Sequence, residues 1–198
     1  MADKNRLELR QELLEMLAAH AYVERELTLT SGRSSTYYID CKRVLYLPAG
    51  AHLCGELMLD LALAARIEQL GGMAAGALPV TDAVIAAAYR YGANLTGFFV
   101  RKETKAHGLQ QRIEGAFKPG LVTAVIDDTI TTGGSSLDAV AAIRGAGAKV
   151  SVALALVDRG EGAAEAFSRE GLSYSFLFTS EEIRAARLST GTCNPAKS

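Results

Sequence analysis

One stretch in the second half of the chain constrains the fold more than any other: residues 122–137, which read VTAVIDDTITTGGSSL. It opens with apolar and β-branched residues, the composition of a buried parallel strand. Two carboxylates, Asp127 and Asp128, follow at the end of this predicted strand. Hydroxyl and glycine residues then lead into a helical apolar pattern that begins at Leu137. A strand, a small-residue loop and a helix in direct succession predict an α/β fold.

The loop has the composition of a phosphate-binding site. Unpaired backbone N–H groups of a first helical turn point at an anion, and the helix dipole favours its charge. Gly133 and Gly134 allow close approach of the backbone, while Thr131, Thr132 and Ser135 each offer a hydroxyl. The loop carries neither the lysine of a Walker A motif nor a G-x-G-x-x-G pattern. A simple helix cap is the alternative, but a cap needs one such residue, so we favour the phosphate site.

The two carboxylates indicate a second ligand group beside the phosphate. Because like charges repel, Asp127 and Asp128 should face sugar hydroxyls or a bound cation and not the phosphate itself. A ligand that combines a phosphate, a ribose and magnesium would satisfy the whole stretch.

The segment VIDDTITTGGS resembles the phosphoribosyl pyrophosphate (PRPP) signature of the type I phosphoribosyltransferases. The resemblance implies their α/β fold, a mostly parallel central sheet flanked by helices, with a small hood subdomain. It also implies that the acid pair is catalytic and holds the ribose hydroxyls, and that the loop takes the 5′-phosphate. The PRPP-binding residues in this segment would be Asp127, Asp128, Thr129, Ile130, Thr131, Thr132, Gly133, Gly134 and Ser135. The signature does not specify which base is transferred.

A charged run after another predicted strand bears on the base. The strand over residues 94–100 is followed by RKETKAHG at 101–108. A solvated surface is the ordinary interpretation of such a run, but its place at the carboxyl end of a parallel strand favours a ligand site. The run is similar to the Val-Arg-Lys-x-x-Lys-x-His-Gly motif of the orotate phosphoribosyltransferases. That resemblance implies that Arg101, Lys102, Lys105 and His107 bind PRPP, with Lys105, near the tip of a mobile loop, acting in the transition state.

Two more segments resemble the orotate family and imply a base pocket. LTSGRSSTYY at 29–38 is similar to the hood segment that covers the pyrimidine, which implies orotate contacts for Tyr37 and Tyr38; a tyrosine pair alone would indicate packing. Thr30 stands where many members have a lysine. Arg159 ends a predicted strand over residues 150–157, where a surface salt bridge is the usual interpretation. In the resembling family this arginine contacts orotate, together with Thr131.

The region before the charged run contains a further loop, which the residues alone leave open as either a ligand loop or a tight connection between a strand and a helix. Residues 50–70 have a helical pattern, and Gly71 and Gly72 are interpreted as its stop. Residues 73–80 then predict a short strand and a small-residue loop, with Pro79 opening the next helix. In the resembling family this loop holds pyrophosphate through backbone amides, often around a non-proline cis peptide bond. Further helices are predicted over 4–20, 162–170 and 181–188, and strands over 27–40 and 174–178.

Length and composition limit the other possibilities. The chain of 198 residues predicts a single domain, with a hood of about residues 1–40 and possibly 172–188 and a core of about 41–171. A net charge of −1 gives no bulk attraction to nucleic acid or membranes. The 3 cysteines show no C-x-x-C pairing, which predicts a reducing cytoplasmic location. No apolar run reaches membrane-spanning length.

The resemblance implies an Mg²⁺-dependent pentosyltransferase of pyrimidine (UMP) biosynthesis that converts orotate and PRPP to orotidine 5′-phosphate and pyrophosphate. Magnesium would be held mainly by the substrate diphosphate and water, with no direct protein ligand. It further implies a homodimer with shared active sites. The alternatives are a purine or xanthine phosphoribosyltransferase, or a PRPP-sensing regulator without turnover. A regulator should carry a nucleic-acid-binding module or basic face, which this composition does not indicate.

Overall fold

The structure is a computed structural model that describes residues 5–28, 34–102 and 112–189. Its helices are α1 (Arg6–Met16), α2 (Lys42–Leu45), α3 (Pro48–Ala64), α4 (Ala77–Arg90), α5 (Gly134–Gly145), α6 (Ala163–Arg169) and α7 (Ser180–Ser189), and a π-helical turn, Leu17–Ala21, continues α1. Its strands are β1 (Tyr22–Thr28), β2 (Ser34–Ile39), β3 (Gln69–Met73), β4 (Thr96–Val100), β5 (Ile113–Gly115), β6 (Val122–Ile130), β7 (Lys149–Asp158) and β8 (Ser173–Thr179).

The strands form two sheets. β1 and β2 pair as an antiparallel ribbon, and the other strands form one six-stranded sheet in the order β5-β4-β3-β6-β7-β8. All its neighbouring pairs are parallel except β4 and β5, which are antiparallel. The predicted mostly parallel sheet flanked by helices is thereby confirmed.

Strand order reverses between β3 and β6. The chain leaves β3 through α4 toward β4, on one side, and leaves β6 through α5 toward β7, on the other. In open α/β sheets ligands bind in the crevice outside the carboxyl ends of the strands at such a switch point. β3 and β6 are paired only as far as Gly71 and Val125, so Asp127 and Asp128 extend past the last pair into this crevice.

The core lies on both faces of the sheet, because successive strand residues point to opposite sides. Ala124 and Ile126 of β6 pack in the cluster that contains residues of α1, α3 and α4. Val125, between them, packs in the cluster that contains residues of α5 and α6. Burial on both faces explains why β6 reads as a continuous apolar run. The acid pair therefore follows a strand that is fixed from both sides.

The helix predicted over residues 50–70 is too long, and the two glycines interpreted as its stop belong to a strand. α3 ends at Ala64, whereas Gly71 and Gly72 lie inside β3. A Cβ atom at Gly71 would collide with the carbonyl oxygen of Phe98, and one at Gly72 with a carbonyl oxygen of β6. Close approach of neighbouring backbones therefore requires these glycines, a cause that the sequence pattern does not distinguish from a helix end.

Other boundaries also differ from prediction. β6 continues through the acid pair to Ile130, because β7 supplies hydrogen-bonding partners along this whole segment. α4 begins at Ala77 and not at Pro79. The short antiparallel strand β5 was not predicted. Its position after the charged run returns the chain to β4, with Ile113 opposite Val100.

The amino-terminal segment forms the antiparallel ribbon that the hood prediction requires. Its turn, including Thr30, lies outside the described residues. The segment 172–188 is divided: β8 is paired with β7 in the main sheet, while α7 packs against α1, with Arg10 Nη2 2.7 Å from Glu182 Oε1. The exact division of hood and core stays a prediction. No helix in the described ranges is both long and apolar enough to cross a membrane.

Candidate active site

The acid pair occupies the crevice at the switch point. Asp127 and Asp128 are only 8% and 7% exposed, and the backbone N–H of Asp128 donates to Asp127 Oδ1 at 3.0 Å. Gly76, just before α4, faces both side chains: a Cβ atom there would lie 2.6 Å from Asp127 Oδ1 and 2.7 Å from Asp128 Oδ1. The start of α4 therefore approaches the two carboxylates at a point where only glycine fits.

Burial governs the charge of the pair. It raises the pKa of Asp127 to about 8, and the neighbouring Asp128 adds to the rise. Burial also raises the pKa of Asp128, but the ammonium of Lys42 opposes this effect; its Nζ lies 3.8 Å from Asp128 Oδ2. Two adjacent buried acids lose their protons in two coupled steps. In the ligand-free protein Asp128 is therefore the better candidate for the first ionised carboxylate.

The raised pKa of Asp127 predicts a pH-dependent stability. Between about pH 4 and about pH 8 the folded protein retains a proton that the unfolded chain releases, so the free energy of unfolding falls as pH rises through this window. Asp127→Asn removes this contribution, and we expect its free energy of unfolding to exceed that of wild type by a margin that grows with pH up to the upper end of the window. Urea unfolding at several pH values measures the difference. Parallel pH curves for the two proteins would contradict the prediction.

The predicted phosphate loop lines a cleft of about 320 Å³. Its lining residues are Asp127, Thr129, Ile130, Thr131, Thr132, Gly133, Gly134, Ser135, Ser136 and Glu161. Gly133 has φ +82°, the left-handed region that glycine adopts without strain, and this turn starts α5. The N-cap residue Gly133 makes no side-chain cap to α5, which leaves the first N–H groups of this helix available to a phosphate. The loop residues predicted from sequence are thus together.

Arg101 and Lys102 lie on the other side of the β3–α4 turn. With Ala74 and Phe99 they line a cleft of about 380 Å³. The peptide bond Ala74–Ala75 is cis, as the family resemblance implied. Gly76, which touches the acid pair, follows directly, so this turn connects the basic cleft to the carboxylates. Lys105 and His107 lie outside the described residues, and their contacts stay predictions.

Arg112 secures the point where the described chain resumes after the charged run. Its Nε donates to the Arg101 carbonyl at 3.1 Å, and its Nη2 lies 2.7 Å from Asp138 Oδ2 on α5. Arg101 in turn places Nη1 3.1 Å from Glu114 Oε1. The two ends of the run are therefore tied to each other and to the helix that starts at the phosphate loop.

Of the predicted base contacts, Arg159 and Tyr37 meet at the carboxyl end of β7. The backbone N–H of Arg159 donates to the carbonyl of Ile130 at 2.9 Å, which sets Arg159 beside Thr131. The guanidinium carbon of Arg159 lies 5.1 Å from the centroid of the Tyr37 ring, within cation–π range. The Tyr37 hydroxyl donates to Ser180 Oγ at 3.1 Å. Tyr37 of the antiparallel ribbon thus contacts residues at the carboxyl ends of β7 and β8. Tyr38 is the more exposed tyrosine of the pair, at 39%.

Sequence reasoning missed three residues of the site. Lys42 follows the hood, and only the one-turn helix α2 brings it to Asp128. Glu161 lines the cleft of the predicted phosphate loop, and its Oε1 lies 3.2 Å from Arg159 Nε. Its position two residues after Arg159 in the sequence is the signal that could have indicated this contact. Gly76 lay within a segment interpreted as a ligand loop, but its contact with the acid pair had no sequence signal.

Comparison with known proteins identifies this combination of fold and site. No family model matches the sequence. The structure is similar to that of a phosphoribosyltransferase from Corynebacterium diphtheriae, with a TM-score of 0.79 and 35% identity over 89% of this chain and 99% of that one. A mostly parallel sheet with an acid pair and a small-residue helix start at its switch point defines a type I phosphoribosyltransferase.

Two further relatives are both named orotate phosphoribosyltransferase. The orotate phosphoribosyltransferase of Mycobacterium tuberculosis in complex with PRPP has a TM-score of 0.75 and 34% identity, covering 89% of this chain and 99% of that one. The curated orotate phosphoribosyltransferase of Rhodopirellula baltica is 42% identical over 173 residues, 84% of this chain and 90% of that protein. The chain belongs to the orotate phosphoribosyltransferase family.

Proposed function

We propose that this protein transfers the phosphoribosyl group of PRPP to orotate, giving orotidine 5′-phosphate and pyrophosphate. The observation that carries the proposal is one cleft of about 320 Å³, lined by Asp127 of the buried acid pair, by the small-residue loop at 129–135 and by Glu161, which pairs with Arg159. Family membership favours this reaction over the purine or xanthine alternative and over a regulator without turnover, because the relatives from R. baltica and M. tuberculosis act on orotate by name.

The loop and the acid pair suit the phosphoribosyl group. The 5′-phosphate accepts hydrogen bonds from the first N–H groups of α5 and from the hydroxyls of Thr131, Thr132 and Ser135. Asp127 and Asp128 then face the ribose, where a carboxylate accepts hydrogen bonds from hydroxyl donors. As the bond from ribose C1 to pyrophosphate breaks, the sugar gains oxocarbenium character. An ionised Asp128 stabilises that positive charge through the low-dielectric crevice.

The basic cleft suits the leaving group. Arg101 and Lys102 follow the end of β4 beside the turn that joins β3 to α4, and Lys105 and His107, outside the described residues, complete the set. Positive charge placed where the diphosphate departs lowers the barrier more than it strengthens ground-state binding. No protein nucleophile is needed, since alignment and charge stabilisation supply the catalysis.

Magnesium is proposed as a companion of PRPP and not as a resident metal. Mg²⁺ keeps several waters and binds readily to phosphates, so the diphosphate of PRPP would carry the ion, which neutralises its charge when bound. In the described ranges there is no group of three or more His, Cys, Asp or Glu side chains suited to a metal ion. The chain's part is to hold the ribose and the departing phosphates in line. We also propose a homodimer with shared sites and a cytoplasmic location.

The base pocket suits orotate because its guanidinium matches a carboxylate or ring carbonyls. Incubating the protein with PRPP and Mg²⁺ and offering orotate, hypoxanthine or adenine in parallel tests the proposal. Of the three bases, only orotate should produce a change in ultraviolet absorbance. Turnover with a purine and none with orotate would reject the proposed acceptor, while PRPP binding without turnover of any base would favour the regulator.

Arg159→Ala tests the acceptor side separately. A charge-assisted hydrogen bond contributes about 1.5–3 kcal/mol, so the KM for orotate should rise by about 10- to 100-fold while that for PRPP changes little. Steady-state kinetics with each substrate varied in turn measures both constants. Arg169→Ala is the matched control, since Arg169 lies at the end of α6 and its Nε donates to the Glu165 carbonyl of the same helix. Equal rises in the KM values for orotate and PRPP would show that Arg159 does not belong to the orotate pocket.

A further inference from the structure

Lys42 is a charged group in the crevice that the proposed reaction does not use. It opens α2, directly after the hood ribbon, and places Nζ 2.8 Å from Asp40 Oδ1 and 3.8 Å from Asp128 Oδ2. The side chain of Lys42 is 39% exposed, whereas that of Asp128 is 10% exposed. An ammonium that is partly in water therefore reaches a carboxylate that is almost entirely out of it.

The other groups around Asp128 do not supply positive charge. Asp127 is its neighbour on β6, and Asp40 lies before α2. The buried thiols of Cys41, next to α2, and Cys54, on α3, also face it; from α4 the approach is made by glycine. Of these described groups only Lys42 is cationic. Without it the carboxylate would face two acids and two apolar thiols in a buried site, conditions that favour the protonated form.

Asp40 holds the ammonium in place. Partial burial lowers the pKa of Lys42, but its ion pair with Asp40 and the charge of Asp128 raise it overall, so Lys42 stays charged throughout the range in which the acids titrate. The pair Asp40–Lys42 stands at the junction of the hood and the sheet. This position connects the hood, which is predicted to cover the base, with Asp128, which is proposed to bind the ribose.

We propose that Lys42 is a positioning residue that keeps the Asp128 carboxylate ionised and directed at the ribose of PRPP. The identity of this ligand rests on the proposed function. An ionised carboxylate accepts hydrogen bonds from sugar hydroxyls, whereas a protonated one gives up part of that capacity and all of its charge. Removing Lys42 therefore weakens PRPP binding most at low pH, by moving the ionisation of Asp128 upward.

The size of the effect follows from the distance. An opposite charge within about 4–6 Å lowers the pKa of a carboxyl group by about 1–3 units. Because Lys42 is partly exposed and shared with Asp40, the lower end applies. We expect Lys42→Met to raise the first ionisation step of the acid pair by about one pH unit, and Lys42→Arg to leave it near the wild-type value.

The first measurement needs no ligand. Carbon-13 NMR of aspartate carboxyl groups, assigned with Asp128→Asn, follows the titration of the pair in the free protein. The first step should move upward in Lys42→Met and in a second neutral variant, Lys42→Gln, and should stay in place in Lys42→Arg. Lys149→Met is the matched control, since Lys149 is an exposed residue at the opposite end of β7 from the site.

The second measurement is PRPP binding by calorimetry with Mg²⁺ present, repeated across pH. Affinity in Lys42→Met should fall about tenfold at the acid end of the range and approach the wild-type value at high pH. In an Asp128→Asn background the same lysine substitution should have no further effect, because a residue that acts through Asp128 has then lost its target. Comparison at each pH cancels the titration of PRPP itself.

Different results would overturn the proposal in recognisable ways. An unmoved carboxyl titration in the neutral variants would show that Lys42 does not control Asp128. An equal loss of affinity at every pH, retained in the Asp128→Asn background, would place Lys42 in direct contact with the ligand. If wild-type protein fails to bind PRPP, the proposed function is lost, yet the ligand-free titration still decides whether Lys42 sets the charge of Asp128.

Discussion

Asp128→Asn should lower kcat for orotidine 5′-phosphate formation by about three orders of magnitude, the scale found when a preorganised group that stabilises transition-state charge is removed. The substitution keeps the size of the side chain but removes its negative charge from a buried site where the residue is only 7% exposed. In the proposed site the ribose then meets an amide in place of a carboxylate, and the oxocarbenium character at C1 loses a counter-charge. Spectrophotometric turnover with saturating substrates measures the loss.

The fold should survive this substitution. Two adjacent buried acids repel each other, so an amide at position 128 should leave the melting temperature unchanged or slightly higher. Lys42 keeps its contact with Asp40 at 2.8 Å. Asp82→Asn supplies the control, because Asp82 is exposed on α4 and undergoes the same chemical change at the protein surface. Wild-type turnover in Asp128→Asn would show that Asp128 has no catalytic role and that the acid pair only ends a strand.

Lys105→Ala should lower kcat by about two to three orders of magnitude while the KM values of PRPP and orotate change little. This split follows if the lysine reaches the pyrophosphate only when the loop closes, since its charge then acts mainly in the transition state. Steady-state kinetics separates the two parameters, and Lys149→Ala reports the effect of losing a lysine elsewhere. A large rise in the KM for PRPP with unchanged kcat would show that Lys105 contributes ground-state binding alone.

The same variant tests the proposed sharing of sites between subunits. If each loop reaches the neighbouring site, a hybrid of Lys105→Ala and Asp128→Asn subunits contains one site with both defects and one with neither. Random exchange makes about half of the dimers hybrids, so about a quarter of the wild-type activity should return. Differential tags identify the hybrids after exchange. Purified hybrids that remain inactive would place each loop over the site of its own subunit.

The sequence predicted the class of the fold from patterns that are local in the chain. The apolar run before Asp127, the glycines at 133 and 134 and the helix after them are decided by residues close to one another, so their order is visible in the sequence. The rule that α/β ligands bind at the carboxyl ends of strands favoured a ligand site at the charged run that begins with Arg101, and the family resemblance added Thr131 and Arg159. The folded chain has all three at that edge.

The same local reasoning failed where a residue is needed by a distant partner. Gly71 and Gly72 resemble a helix stop, yet they are set by the backbones of β4 and β6. Gly76 is a loop glycine in the sequence, and only packing shows that it leaves room for two carboxylates. Glycine is used for turns, caps and close approach alike, so its presence does not reveal which of these applies.

The sequence by itself thus determined the parallel sheet, the acid pair at a strand end and the small-residue loop before α5, because strand and helix periodicity and the chemistry of a strand end are properties of neighbouring residues. Only the tertiary structure decided where the strand order reverses, that Glu161 meets Arg159, and that Lys42 faces Asp128. These contacts depend on how the chain folds, and their energy depends on burial and on distances of 3.2 and 3.8 Å. Burial and distance are created by folding, which is why the charge state of the acid pair does not follow from the identity of its residues alone.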